Sequence, residues 1–204
     1  MIRKLSWGVM LALACVVALY ALVTASVGGL RTPFVADLFA TKALRAAAHL
    51  GAGGVALVTG ALQFSTHIRF GRPRAHRGLG WAYLAGVSVS GTAGGLLAPS
   101  SSGGITGHFG FGLLAVLWVA TAAIAWRAAI GGDYAAHRTW MIRSYALCLA
   151  AVTLRLYIPL SAIAGVAFDD AYPAIAWLCW VPNLIVAEWL VVPGSLAPLE
   201  PSAG

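Results

Sequence analysis

Six apolar runs, each long enough to cross a bilayer, leave little chain for anything else. They fall at about 7–27, 44–64, 75–98, 108–130, 138–164 and 173–192. At 1.5 Å per helical residue, roughly twenty residues cover a hydrocarbon core of about 30 Å. Turn-forming clusters separate the runs: RTP at 31–33, GRPR at 71–74, PSSSGG at 99–104, GGD at 131–133 and DDAYP at 169–173. The expected fold is therefore all-α, a polytopic membrane protein with six transmembrane helices in a single domain over residues 1–204. The first run follows MIRK and precedes ASVGG, as in a signal peptide, but its length is that of a retained helix.

Composition agrees with this reading. The chain is 60% hydrophobic and 9% charged, with a mean hydropathy of +0.86, values that exclude an ordinary soluble domain. Its net charge of +7 would suggest nucleic acid in a soluble protein. Here the cations follow topology instead. One set of segment ends carries Arg3, Lys4, Arg69, Arg72, Arg74, Arg77, Arg127, Arg138 and Arg143; the opposite set carries Arg31, Lys42 and Arg45 with Asp37, Asp169 and Asp170. The positive-inside rule places both termini in the cytoplasm, in the inner (plasma) membrane of a cell, and no nucleic-acid partner is needed. Cys15, Cys148 and Cys179 lie in apolar runs without CxxC spacing. They read as small core residues, and neither a disulfide framework nor a zinc site is expected.

The histidines are the informative polar residues. His67 falls in the basic cytoplasmic loop and should be solvated. The other four fall one each on the second to fifth segments, and the alternating direction of those segments sets their depths. His49 and His108 lie toward the outer face, His76 and His137 toward the cytoplasm. Two imidazoles at one depth on facing helices are what a b-type haem in a helical bundle requires, and two such layers hold two haems. His49, His108, His76 and His137 are accordingly the candidate metal ligands, in a central four-helix bundle formed by helices two to five. Small residues flank them: Gly51, Gly53 and Gly54, then Gly78 and Gly80, then Gly107, Gly110 and Gly112. These glycines leave room for a porphyrin edge, or equally allow close helix packing. The histidines themselves are also read as interfacial polar residues. Pro73 and Asp133 are suited to helix starts, which puts His76, His108 and His137 within about a turn of their helix ends, while His49 is deeper.

Three further groups are costly in lipid and need partners. Arg155 lies eighteen residues past His137, about 27 Å along a helix and so at the outer histidine depth. It is a candidate for haem propionates, or else snorkels to headgroups or pairs with Asp169 or Asp170. Glu188 has Arg143 as its natural partner, a structural ion pair between helices five and six; Arg143 is also a candidate cofactor contact at the inner layer. The cytoplasmic arginines form a rim suited to anionic lipid, and to an anionic reductant or a quinone headgroup as electron donor. Trp81, Trp126, Trp140, Trp177, Trp180 and Trp189, with Tyr83, Tyr134 and Tyr172, are expected mainly as interface anchors.

Two resemblances extend this reading. HRGLGWAYLAG at 76–86, GFGLLAVLWVATAAIAWRAA at 110–129, HRTWMIRSYALCLAAVTLRLYIP at 137–159 and AWLCWVPNLIVAE at 176–188 resemble a bacterial family of six-helix membrane proteins of unknown function, over roughly residues 45–190. The layout of one histidine on each of four central helices, paired second-with-fourth and third-with-fifth, is similar to the cytochrome b561 superfamily. That resemblance implies two haems carrying electrons across the membrane, His49 with His108 on one and His76 with His137 on the other, with oxidoreductase activity. The surrounding motifs do not align with that superfamily, so its substrates do not carry over. The alternative is a non-redox protein: a small transporter, or a lipid-binding or scaffold subunit whose histidines and arginines line a polar cavity. Hydrolysis is disfavoured, since no GxSxG, HExxH or CxxC motif is present.

Overall fold

A computed structural model describes residues 2–191. Among the described residues the chain is all-helical, with no strand. In chain order the helices are α1 (Ile2–Ser26), α2 (Pro33–Gln63), α3 (Thr66–Gly71), α4 (Pro73–Leu97), α5 (Gly104–Ile130), α6 (Tyr134–Cys148), α7 (Ala150–Ile163), α8 (Phe168–Leu178) and α9 (Val181–Val186). A π-helical turn, Ala187–Val191, follows α9.

Local chemistry sets the ends. Thr32 caps α2 by accepting from the Val35 amide, with Pro33 at the first helical position. Pro73 opens α4 in the same way, and Asp133 caps α6 by accepting from the Ala136 amide at 2.9 Å. Arg31 folds back on the end of α1, donating to the Thr24 and Ala25 carbonyls at 3.0 and 2.8 Å. Those carbonyls are otherwise left over at a helix C-terminus. The turn between α5 and α6 runs through Gly132 at φ +78°, a conformation that costs glycine little.

Four stretches are long and apolar enough to cross a membrane by length and composition: Leu5–Ser26, Pro33–Gln63, Gly104–Ile130 and Tyr134–Ile163. The last runs through α6 and α7. The second begins earlier than the sequence suggests and contains a break at Lys42 (φ −142°, ψ 42°), so that the helix carrying His49 starts afresh beside the predicted boundary. The third apolar run, α4, is not among the four. It carries six glycines as well as Ser88, Ser90 and Thr92, because it packs between α2 and α5 and its small residues serve those contacts. A Cβ on Gly86 would stand 2.9 Å from the Ala52 carbonyl and 3.0 Å from the Ala56 methyl.

The sixth run is broken into α8, α9 and the π-turn. Pro182 has no amide to give, and a side-chain cluster ties the broken region down. Thr153 Oγ1 donates to the Cys179 carbonyl. Asn183 Nδ2 reaches the Cys179 carbonyl, Thr153 Oγ1 and the Ala146 carbonyl at 3.0, 3.2 and 3.3 Å. In packing order α2, α4, α5 and α6 are successive neighbours and α2 meets α6. Helix α1 lies against α2 and α7, and α8 against α5 and α7.

The core at mid-height is aromatic and hydrogen-bonded. Tyr83 is fully buried, its hydroxyl 2.8 Å from Ser144 Oγ and 3.4 Å from the Trp118 indole nitrogen. Tyr145 donates to the Leu57 carbonyl at 2.9 Å, and Phe64 lies against its ring at 5.2 Å between centroids. This corrects the expectation for three aromatics. Tyr83, Tyr172 and Trp180 are core residues, each with its polar atom or ring engaged by another helix or its own carbonyls, whereas Trp81, Trp189 and Tyr134 are exposed as anchors should be. Cys148 and Cys179 are buried as expected, but Cys15 is exposed on α1.

Candidate functional site

The four histidines sit where fixed helix geometry put them, two toward each end of the bundle, and most of their rings are held. His49, on α2, turns its ring to α4. Its Nδ1 lies 3.0 Å from the Ser90 carbonyl, which can only accept, so Nδ1 carries the proton. Ser90 Oγ stands 3.2 Å from the same nitrogen and donates to the His49 carbonyl at 2.9 Å. Two glycines make this approach possible. A Cβ on Gly94 would stand 2.9 Å from His49 Nδ1, and one on Gly53 would stand 2.9 Å from Ser90 Oγ.

His137 mirrors this at the other end of the bundle. It occupies the first turn of α6, and its Nδ1 donates to the Ala125 carbonyl of α5 at 2.8 Å. In both residues the bonded nitrogen is Nδ1 and Nε2 is directed away from that bond. His76, in the first turn of α4, lies within electrostatic reach of His137. Its Nδ1 is buried with no hydrogen-bond partner, while Gln63 Nε2 donates to its carbonyl at 2.9 Å. His108, in the first turns of α5, bonds through Nε2 to the Ser101 carbonyl at 3.2 Å, leaving Nδ1. His67 is exposed on α3, as its place in the basic loop implies.

At one end His76 and His137 thus lie within electrostatic reach of each other. At the other end His49 meets Ser90 and Gly94 of α4, whereas His108 meets Ser101 in the segment that follows α4. Among the described hydrogen bonds none joins those two rings.

Most of the flanking glycines serve packing. Gly54 faces Ala18 at 3.6 Å, Gly110 faces Ala176 and Trp177 at 3.0 Å, Gly107 abuts the Ser102 carbonyl and Gly80 faces Gln63. Gly51 and Gly78, each two residues past a histidine, face open space.

Arg143 and Glu188 form the expected ion pair, with Nε to Oε1 at 2.5 Å and Nη2 to Oε2 at 2.9 Å. The guanidinium also lies over the Trp140 ring at 4.5 Å. Arg143 is therefore spoken for, and the π-turn at Ala187–Val191 is the segment that carries Glu188 to it. Arg155 behaves differently. It donates from Nη1 to the Ala151 carbonyl of its own helix at 2.8 Å and lies over the Tyr20 ring at 5.0 Å. Neither Asp169 nor Asp170 pairs with it among the described residues; both are exposed at the start of α8.

Sequence reasoning alone missed Ser90, Ser144, Thr153, Gln63 and Asn183, the groups that hold rings and broken helix ends. Their signal was polarity inside apolar runs, which is costly unless partnered. The described residues contain no group of three or more histidine, cysteine or acidic side chains positioned for a metal ion.

Comparison with known proteins adds a family and nothing more specific. No curated protein and no solved structure matches the chain. A family model described as a predicted membrane protein, DUF2306, matches residues 46–191, from just before His49 to the end of the π-turn. With more than half its length matched, the chain belongs to the DUF2306 family of predicted membrane proteins.

Proposed function

We propose that the protein is a b-type membrane cytochrome whose two bis-histidine haems carry electrons between the faces of the bacterial inner membrane. The chain would cross six times: by α1, by α2 beyond Lys42, by α4, by α5, by α6 with α7, and by α8 with α9. Its arginine bias would place both termini in the cytoplasm, with His76 and His137 on the inner side and His49 and His108 on the outer.

One observation carries the reading. His49 and His137, at opposite ends of the bundle, each give Nδ1–H to a backbone carbonyl of a neighbouring helix, at 3.0 and 2.8 Å. Such a bond fixes a ligating imidazole and its tautomer, with Nε2 left for the metal. The buried Nδ1 of His76, without a partner, is a polar atom of the kind that a missing ligand leaves. Three of the four donors therefore suit the group, and His108, whose Nε2 meets the Ser101 carbonyl, would have to turn to offer that nitrogen. His49 and His108 would hold one haem, His76 and His137 the other. Haem held by these residues would supply one-electron transfer.

The chain's own residues do the rest. Ser90 and Ala125 orient the rings. Gly94 lets α4 approach His49. Tyr83, Trp118 and Tyr145 fill the space between the layers and keep water from it. The cytoplasmic arginines offer an anionic or quinone donor a docking rim.

The visible spectrum of protein purified from haem-replete cells tests this. A Soret band with two haems per chain is expected, and His49→Leu should remove one and spare the other. A preparation without a Soret band, or one in which His49→Leu removes both haems equally, would overturn the proposal.

A further inference from the structure

Arg155 is a half-buried cation with no counter-charge among the described residues. Its Nε is inaccessible to solvent and has no hydrogen-bond partner, and among the described residues no carboxylate lies within ion-pair range of it. Its surroundings are contributed by four helices. Tyr20 of α1 lies under the guanidinium, and His49 of α2 and Tyr172 of α8 lie within electrostatic reach of it. An arginine that merely snorkels would be wetted along its guanidinium, whereas this Nε is enclosed.

The unbonded edge is specific. A guanidinium binds a carboxylate side-on through Nε and one terminal nitrogen. Arg143 shows the arrangement in this same protein, holding Glu188 through Nε and Nη2. Arg155 spends Nη1 on Ala151, and among the described residues no protein group bonds to its Nε–Nη2 edge. A cation in a membrane-crossing segment, with its Nε enclosed and unbonded, is costly without a partner, so the edge calls for an anion from outside the chain.

We infer that Arg155 receives the carboxylate of a ligand seated beside His49. This rests on the cytochrome proposal and deepens it: if His49 ligates a haem, the carboxylate is one of that haem's propionates.

The test pairs an altered residue with an altered ligand. Full-length wild type, Arg155→Gln and Arg155→Lys are reconstituted with haem and with haem dimethyl ester, whose propionates are blocked. Retention of the His49-dependent haem is then measured by competition with apomyoglobin. Wild type should hold that haem about tenfold or more tightly than its diester, the scale of a lost charge-assisted pair. Arg155→Gln should not discriminate between the two, and the His76–His137 haem should be unaffected. Arg155→Lys, which keeps the charge but not the fork, should discriminate weakly and guards against a Gln variant that fails to fold. Wild-type discrimination persisting in both variants would overturn the inference and assign Arg155 to lipid headgroups.

If wild type takes up neither haem, the cytochrome proposal fails and Arg155 is tested by itself with dodecanoate and dodecanol. A thermal shift given by dodecanoate, absent with dodecanol and lost in Arg155→Gln, would sustain the carboxylate site. Equal response to the two probes would overturn it.

Discussion

Gly94→Ala adds one methyl where His49 meets α4. The new Cβ would stand 2.9 Å from His49 Nδ1 and 3.0 Å from Cε1, against 3.4 Å for the near edge of ordinary contact. The ring must therefore retreat from α4 by about 0.5 Å, and Ser90 lies on the same helix. The Nδ1–Ser90 bond, now 3.0 Å, would stretch to about 3.5 Å, the limit of a hydrogen bond. Overpacking of this kind costs about 1–3 kcal/mol. Loss of the orienting partner of a metal ligand weakens binding by roughly 10–100-fold, which is about 1.4–2.8 kcal/mol. If His49 ligates a haem as proposed, that haem should fall by this factor in affinity.

The assay is haem per protein by pyridine haemochrome, with thermal unfolding in detergent alongside. Gly78→Ala is the control, because a Cβ two residues past His76 meets nothing within 4 Å. A Gly94→Ala protein that matched Gly78→Ala in haem content would refute the ligand role of His49. One that also matched it in thermal stability would refute the packing argument beneath it.

Three smaller experiments bear on the scaffold. Gly60→Ala would place a Cβ 2.5 Å from the Tyr145 ring and 2.8 Å from that of Tyr83. Both rings are pinned by their hydroxyls, so a loss of about 1–3 kcal/mol is expected, and an unchanged unfolding midpoint would contradict it. Glu188→Gln removes the charge opposite Arg143, but the two side chains are 37% and 22% exposed. The expected loss is therefore about 1 kcal/mol or less, shrinking in high salt; a salt-independent loss above about 3 kcal/mol would mean that the pair acts as a buried one. Asn183→Leu should cost about 1–3 kcal/mol by leaving the carbonyls at the α8–α9 break unsatisfied, and hydrogen exchange at that break should rise. Unchanged exchange there would show that Thr153 suffices.

The sequence by itself determined the features that depend only on chain length, local capping chemistry and fixed rise. Thr32, Pro73 and Asp133 mark helix starts wherever the helices end up. The spacing of the apolar runs and the division of the histidines between two ends come from 1.5 Å per residue and alternating direction. The Arg143–Glu188 pair was legible for the same reason, since both residues are costly in lipid at one depth.

Lateral placement was not legible. In a soluble helix the buried and exposed faces differ in hydropathy, but in lipid both are apolar, so the pattern does not say which way a residue turns. Tyr83 and Trp180 could not be told from rim anchors, nor Cys15 from a core cysteine. The break at Lys42, the hold of Ser90 on His49 and the solitude of Arg155 likewise depend on which helix stands beside which. Only the packed tertiary structure decides that, because it alone fixes the rotation of each helix about its own axis.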